Sequence, residues 1–198
     1  MKVINNFNEY PPNKQKLLEK VKKLCKFVYP THNWEGHILP TVEAALKLQK
    51  KYGGDRFIVE TGAYMHDLGR ILFDYLQFVG VGHEVSGYYF TRAKLWQYGF
   101  NKELNEKISK CVLQHGGRLN HESLSLESEI IRNADGVAAF EKWMYQYSIH
   151  YAEHSKDEKG TKKWLLKKLD SSWRKLTLPG LKEDISPLYT KIKNELVF

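Results

Sequence analysis

The chemistry of this 198-residue chain is carried by its histidines and by two carboxylates beside or among apolar residues. Eight histidines are present, at 32, 37, 66, 83, 115, 121, 150 and 154. His66 is followed at once by Asp67, and both close the apolar run TGAYMHDLG. An imidazole and a carboxylate at the end of a buried helix are costly unless something uses them. A divalent metal is the usual user, because imidazole nitrogen and carboxylate oxygen suit zinc, iron, manganese and nickel. Asp67 has two oxygens and could bridge two ions. Asp135 lies inside IIRNADGVAAF, and a carboxylate in such a run needs a cation. His37, His83 and His115 each fall at the end of a helical pattern. Taken singly, each has an ordinary explanation: a cap, a solvated ring, or for Asp135 a pairing with Arg132 or Lys142. Six such residues in one order are harder to dismiss.

The elements that must position them are helices. Apolar residues at helical spacing predict helices over 13–29, 36–52, 55–68, 83–98, 102–115, 127–154, 158–176 and 186–197. Gly53-Gly54, Gly69, Gly99 and Gly116-Gly117 read as stops, and Ser186-Pro187 reads as the start of the last helix. No stretch alternates as a half-buried strand should, although QFVGVG at 77–82 is too short to decide. The expectation is an all-α single domain over 1–198. Its motif-bearing core runs from about 31 to 140, and helices of 141–198 cover that core.

Composition narrows the class further. Hydrophobic residues at 42% and aromatics at 13% are enough for a packed core, which excludes wholesale disorder. Two cysteines, Cys25 and Cys111, cannot make a disulfide framework or a four-thiolate zinc site. No apolar run approaches the roughly 20 residues that span a bilayer, and no signal peptide is visible. A cytoplasmic protein without a membrane partner is expected. The net charge of +8 suits an anionic partner, but the lysines are scattered, with one dense cluster at Lys162, Lys163, Lys167 and Lys168. Nucleic acid is therefore possible but not favoured, and the aromatic run WMYQYSIHY at 143–151 reads as core and interface rather than a base-stacking platform.

The order His37, His66-Asp67, His83, His115, Asp135 resembles the HD-domain superfamily of metal-dependent phosphohydrolases. The likeness runs from about Thr31 to Phe140 and is most specific at TGAYMHDLGR (61–70) and IIRNADGVAAF (130–140). It is nearest to small stand-alone HD hydrolases with two extra histidines between the His-Asp pair and the final Asp. The resemblance implies that His37, His66, Asp67 and Asp135 converge on one metal. His83 and His115 would complete a second site, with Asp67 bridging. The cofactor would be one or two divalent transition metals, among Mn, Fe, Ni, Zn and Co. A metal-bound hydroxide would attack the phosphorus of a small phosphorylated substrate such as a nucleotide. The chain departs from its relatives at His37-Ile-Leu-Pro, where many carry His-x-x-Arg-Val. It also lacks the Gly-Tyr-Pro signature of cyclic-dinucleotide phosphodiesterases and the His-Asp-x-x-Glu-Asp motif of stringent-alarmone hydrolases.

Developing phosphoryl charge needs cationic partners. Arg70, just past Asp67, and Arg118, just past His115, are the candidate catalytic contacts alongside Asp67. A salt bridge from Arg70 to Asp74 is the competing role. Glu60 or Asp67 could accept a proton. His32, five residues before His37, could line the pocket but is read first as a loop histidine facing water, and His121, His150 and His154 are read as surface residues. HYAEH (150–154) spaces two histidines as zinc helices do but lacks the His-Glu-x-x-His order. Two alternatives use the same residues: a di-iron oxygenase of the HD superfamily, and a non-catalytic nucleotide- or RNA-binding module.

Overall fold

The computed structural model describes residues 10–72, 80–116, 123–154 and 156–196, and among them every regular element is helical. The chain runs through α1 (Pro12–Val28), a single turn α2 (Thr31–Asn33) and a π-helical turn (Trp34–Ile38) into α3 (Leu39–Tyr52). Then come α4 (Arg56–Met65), α5 (Leu68–Leu72), α6 (His83–Tyr98) and α7 (Lys102–Gln114). The last four are α8 (Leu126–Glu141), α9 (Trp143–Glu153), α10 (Glu158–Lys175) and α11 (Leu181–Leu196).

Local chemistry explains most of these boundaries. Asp55 caps α4 by accepting from the Phe57 and Ile58 amides, at 2.8 and 3.2 Å. Asn101 caps α7 through the Leu104 amide at 2.9 Å, and Ser125 caps α8 through that of Ser128 at 3.2 Å. Gly99 ends α6 in the left-handed region, φ +91°, which a residue with a Cβ enters only at a cost.

Two helices form the centre. Every residue of α4 from Phe57 to Met65 is buried, and α8 buries Ser128, Ile130, Ile131 and the unbroken run Asn133–Phe140. α3 packs along both α4 and α8, α7 packs on α4, and α6 pairs with α7 and α5. α10 lies against α8, joined by α9 and α11. A helix buried on all sides must be apolar all round, so a histidine or aspartate on α4 or α8 faces the interior.

Three sequence expectations need correction. The helix expected over 127–154 is two, because Lys142 leaves the helical region at φ −114°, ψ 21°. α8 ends where the core ends, whereas α9 buries only Gln146 and swings aside. No Gly or Pro marks that break, so periodicity could not see it. Gly69 does not stop the helix of His66; it sits inside α5, where a Cβ would collide with the His83 carbonyl oxygen and the Gly87 backbone. Its role is to let α5 and α6 touch. Ser186-Pro187 does not start the last helix, which begins at Leu181 with Pro187 inside it. The apolar series Leu181, Ile185, Leu188, Ile192 and Leu196 packs on the core across the proline, and that burial outweighs the lost hydrogen bond. Within QFVGVG, residues 77–79 lie outside the described residues.

Candidate metal centre

The site forms where two helix ends, one helix start and one π-turn meet the middle of α8. His66 follows the last residue of α4, and Asp67 stands in the turn before α5. His83 is the first residue of α6, and His115 is the cap after α7. His37 lies in the π-helical turn, a wider coil that recurs at functional sites because it re-aims side chains. His66, Asp67, His83, His115 and Asp135 are all buried, and His37 is half-buried.

Ring orientation follows from hydrogen bonds at the helix ends. His66 Nδ1 is 2.8 Å from the Ala63 carbonyl and His115 Nδ1 is 2.7 Å from that of Val112. A carbonyl only accepts, so each Nδ1 carries the proton and each Nε2 presents a bare lone pair inward. Burial lowers the His66 pKa to about 3, which keeps that ring neutral. His37 Nε2 lies 3.1 Å from His66 Nε2, 3.2 Å from Asp67 Oδ2 and 3.5 Å from Asp135 Oδ1. A single proton on His37 can serve one of those acceptors, not three. On the other side, Asp67 Oδ1 is 3.3 Å from His83 Nε2 and 3.5 Å from His115 Nε2, with no hydrogen bond of its own.

Such a donor set repels itself unless a cation lies among the atoms. Two groups share Asp67: His37, His66 and Asp67, and Asp67, His83 and His115. The ligand atoms of each lie within 4.8 Å of one another. The residues therefore fit one or two divalent metals, which His37, His66 and Asp67, or Asp67, His83 and His115, would hold. Asp135 stands beside the first group, one oxygen near His37 and the other held by the Lys175 ammonium.

The carboxylates are held ionised. Burial alone would raise Asp67, but the Arg70 guanidinium and the surrounding imidazoles outweigh it and hold the group well below the usual carboxylate range. Asp135 is likewise pulled down against its burial, by Lys175 and then by His37 and His66. Arg70 is 3.3 Å from Asp67 Oδ2 and 3.0 Å from His83 Nε2, so its ion pair is to Asp67. Asp74, the partner considered from sequence, lies outside the described residues, as do Arg118 and His121. The Glu60 carboxylate is occupied by the Tyr10 hydroxyl at 2.9 Å and Lys22 at 3.0 Å.

The centre opens into a cavity of about 470 Å³, within the size range of small-molecule sites. His37, Asp67, Arg70 and Asp135 form its metal-facing end. One face of α9 (Tyr145, Gln146, Ile149, His150, Glu153) makes one wall, and one face of α10 (Trp164, Lys168, Ser171, Ser172, Lys175) makes another. His150 is therefore not the plain surface residue expected. It lines the cavity, its ring stacked on Trp164 at 4.1 Å and on the exposed His154 at 3.9 Å. His32 also lines the cavity and is half-buried rather than open to water. The aromatic run of 143–151 is divided, Trp143 and Tyr147 packing on the core and Tyr145 facing the cavity.

Lys168 is separated from its neighbours in sequence. It reaches the cavity across the Trp164 ring, and burial lowers its pKa, while Lys163 and Lys167 stay exposed. The sequence marks Lys168 only as part of the basic cluster and gives no site role to Lys175 or Glu84. Glu84 is 2% exposed, with Oε2 3.3 Å from His83 Nδ1, so a buried carboxylate stands beside a candidate ligand imidazole without a hydrogen bond to it. The His83-Glu84 pair behind a glycine at a helix start was the available signal. Lys168 and Lys175 carry no local signal, because only helix packing brings them here.

A family profile described as HD domain matches residues 34–139, more than half of the chain, and takes in all six proposed ligands. An uncharacterized protein of Clostridium beijerinckii is 32% identical over 108 residues, 54% of this chain and 63% of that relative. This chain thus spans just under two thirds of that relative's length. The crystal structure of Bacillus subtilis YpgQ matches with a TM-score of 0.70 at 17% identity, over 93% of this chain and 94% of YpgQ. The crystal structure of YpgQ in complex with ADP gives 0.70 at 16%, over 93% of each chain. At that identity the likeness speaks for the fold. The profile match over more than half of the chain shows that it belongs to the HD-domain family, which implies the superfamily of metal-dependent phosphohydrolases.

Proposed function

We propose that this chain is a phosphohydrolase acting on a small phosphorylated molecule, with nucleotides the favoured class. The observation that carries this reading is the arrangement of the cavity. Its metal-facing end carries His37 and Asp67 of the donor groups, with Asp135 beside them, and the cations Arg70, Lys168 and Lys175 line the same cavity. His37, His66, Asp67 and Asp135 would hold one metal, and Asp67, His83 and His115 a second. A divalent metal bound there would supply a water nucleophile at neutral pH and a Lewis acid for the phosphoryl oxygens.

The chain's own residues have distinct parts. Arg70 already donates toward Asp67 and His83, so its guanidinium is held beside the place where phosphoryl charge would develop. Lys175 bonds Asp135 and lines the cavity, placing a second positive charge on the same side. Lys168 is partly stripped of water, which strengthens its attraction for an anion. The Glu84 carboxylate adds negative charge beside His83 Nδ1, 3.3 Å away. The nucleotide class draws support from the YpgQ complex with ADP and from the aromatic Tyr145 in the cavity wall.

The test is metal analysis of protein purified without chelators, beside Asp67→Ala, followed by phosphate release from a panel of nucleotides. The reading expects one or two transition metals per chain, their loss in the variant, and metal-dependent release. Iron with oxygen-dependent turnover would instead point to the di-iron oxygenase alternative. A protein that stays empty after reconstitution would overturn the enzyme reading.

A further inference from the structure

Gln146 is 8% exposed and lines the cavity, yet neither its amide nitrogen nor its amide oxygen has a hydrogen-bond partner among the described residues. A buried primary amide offers two donors and an acceptor, and leaving all of them unmade costs stability. It is also the only buried residue among those described in α9, whose Trp143 and Tyr147 pack partly on the core. Its surroundings differ from the metal-facing end. Tyr145 and Ile149 lie on the same helix, giving an aromatic and an aliphatic surface near one polar group, while Trp164 on α10 is stacked with His150. A ligand that satisfies both conditions is planar and carries a donor next to an acceptor on its edge. Phosphate and ribose do not combine these properties; a nucleobase does.

We infer that Gln146 is a specificity-determining residue that reads the hydrogen-bonding edge of a nucleobase while the phosphate end faces Arg70 and Lys175. The inference rests on the phosphohydrolase reading for its placement of the phosphate. A glutamine amide pairs bidentately with a base edge, and such a pair is lost when the amide is replaced by an apolar group of similar size. The glutamine side chain has three torsions, enough to turn the amide toward the cavity it lines.

The experiment compares wild type, Gln146→Leu and Gln146→Glu on the nucleotide hydrolysed fastest and on a baseless counterpart of equal phosphate number: ribose 5-phosphate, pyrophosphate or triphosphate. Gln146→Leu should lower kcat/KM for the nucleotide about tenfold to a hundredfold and leave the baseless phosphate within about twofold. Gln146→Glu, which keeps an acceptor and loses both donors, should change the ranking of the four bases. The unliganded Gln146→Leu protein should melt at or above the wild-type Tm, since an unpaired amide has been removed. Equal losses on both substrates, no loss on either, or a Tm well below wild type would make Gln146 structural and overturn the assignment. Should no nucleotide be hydrolysed, the phosphohydrolase reading fails by itself. Nucleotide protection against melting then decides: a Tm rise abolished by Gln146→Leu upholds the assignment, and no rise in wild type overturns it.

Discussion

Asp67 is the residue on which the centre turns, because each of its oxygens faces a different pair of imidazoles. Replacing it by alanine removes the shared donor of both groups, so bound metal should fall to background by elemental analysis while helical circular dichroism is kept. Retention of metal by Asp67→Ala would mean that the histidines bind without it. Lys168 makes a sharper case. Its ammonium is partly desolvated and its pKa is lowered by that burial, so the charge is a burden on the fold unless an anion meets it. Lys168→Met should therefore leave Tm unchanged or raised, yet lower kcat/KM about tenfold or more, as expected when a charge-assisted hydrogen bond is lost. A variant that melts lower with unchanged kinetics would assign Lys168 to structure alone.

At the scale of elements, α5 and α6 meet through backbone at Gly69 and Gly87, and this contact fixes His83 against Asp67. A methyl group at Gly69 has to push the two helices apart, because the atoms it meets are main chain. Gly69→Ala should cost about 3 kcal/mol in urea unfolding and weaken metal binding at the His83 side. Wild-type stability for this variant would show the helices free to shift. A second element-level device is Asn133, fully buried on α8. Its Oδ1 accepts from the amides of Thr177 and Leu178 at 2.7 and 3.1 Å, and its Nδ2 donates to the Glu129 carbonyl at 2.8 Å. It pins the link between α10 and α11 to the central helix. Asn133→Ala should destabilise by about 2–3 kcal/mol, since two amides lose their acceptor. Because that link holds α10 in place, reduced protection of Lys168–Leu178 in hydrogen exchange should accompany the loss.

For the molecule as a whole, the metal donors come from the π-turn, the ends of α4 and α7, the start of α6 and the middle of α8, so a bound ion would tie together parts distant in sequence. Any ligand that binds only the folded chain stabilises it by mass action, by about 2.7 kcal/mol at a hundred times its Kd. For a chain of this length that is a rise of roughly 5–10 °C in Tm, reversed by chelator. Absence of any shift with manganese, nickel, zinc, cobalt or iron would argue against the site. The positive net charge adds a second whole-molecule effect: capture of an anionic substrate should weaken as ionic strength rises, through the screening of exposed lysines.

The sequence by itself determined the helical class and the family, and it singled out the six residues that the fold gathers around Asp67. Helical periodicity is local, and the His-Asp pair, Asp135 and the lone histidines stand out against apolar neighbours without knowledge of packing. It also placed the boundaries of α6 and α7 to within a residue, because Gly99, Asn101 and Gly116 are local signals. Tertiary structure alone decided the cavity. The turn at Lys142 has no breaker residue, and the continuity of α11 through Pro187 depends on apolar partners elsewhere in the chain. Lys168, Lys175, Gln146 and His150 become site residues only when α9 and α10 close over the metal centre, and no spacing within one helix records that. Ligands of a metal must be chemically unusual for their surroundings and so are visible in a sequence. The walls that choose a substrate use ordinary lysines, glutamines and aromatics, and only their position makes them special.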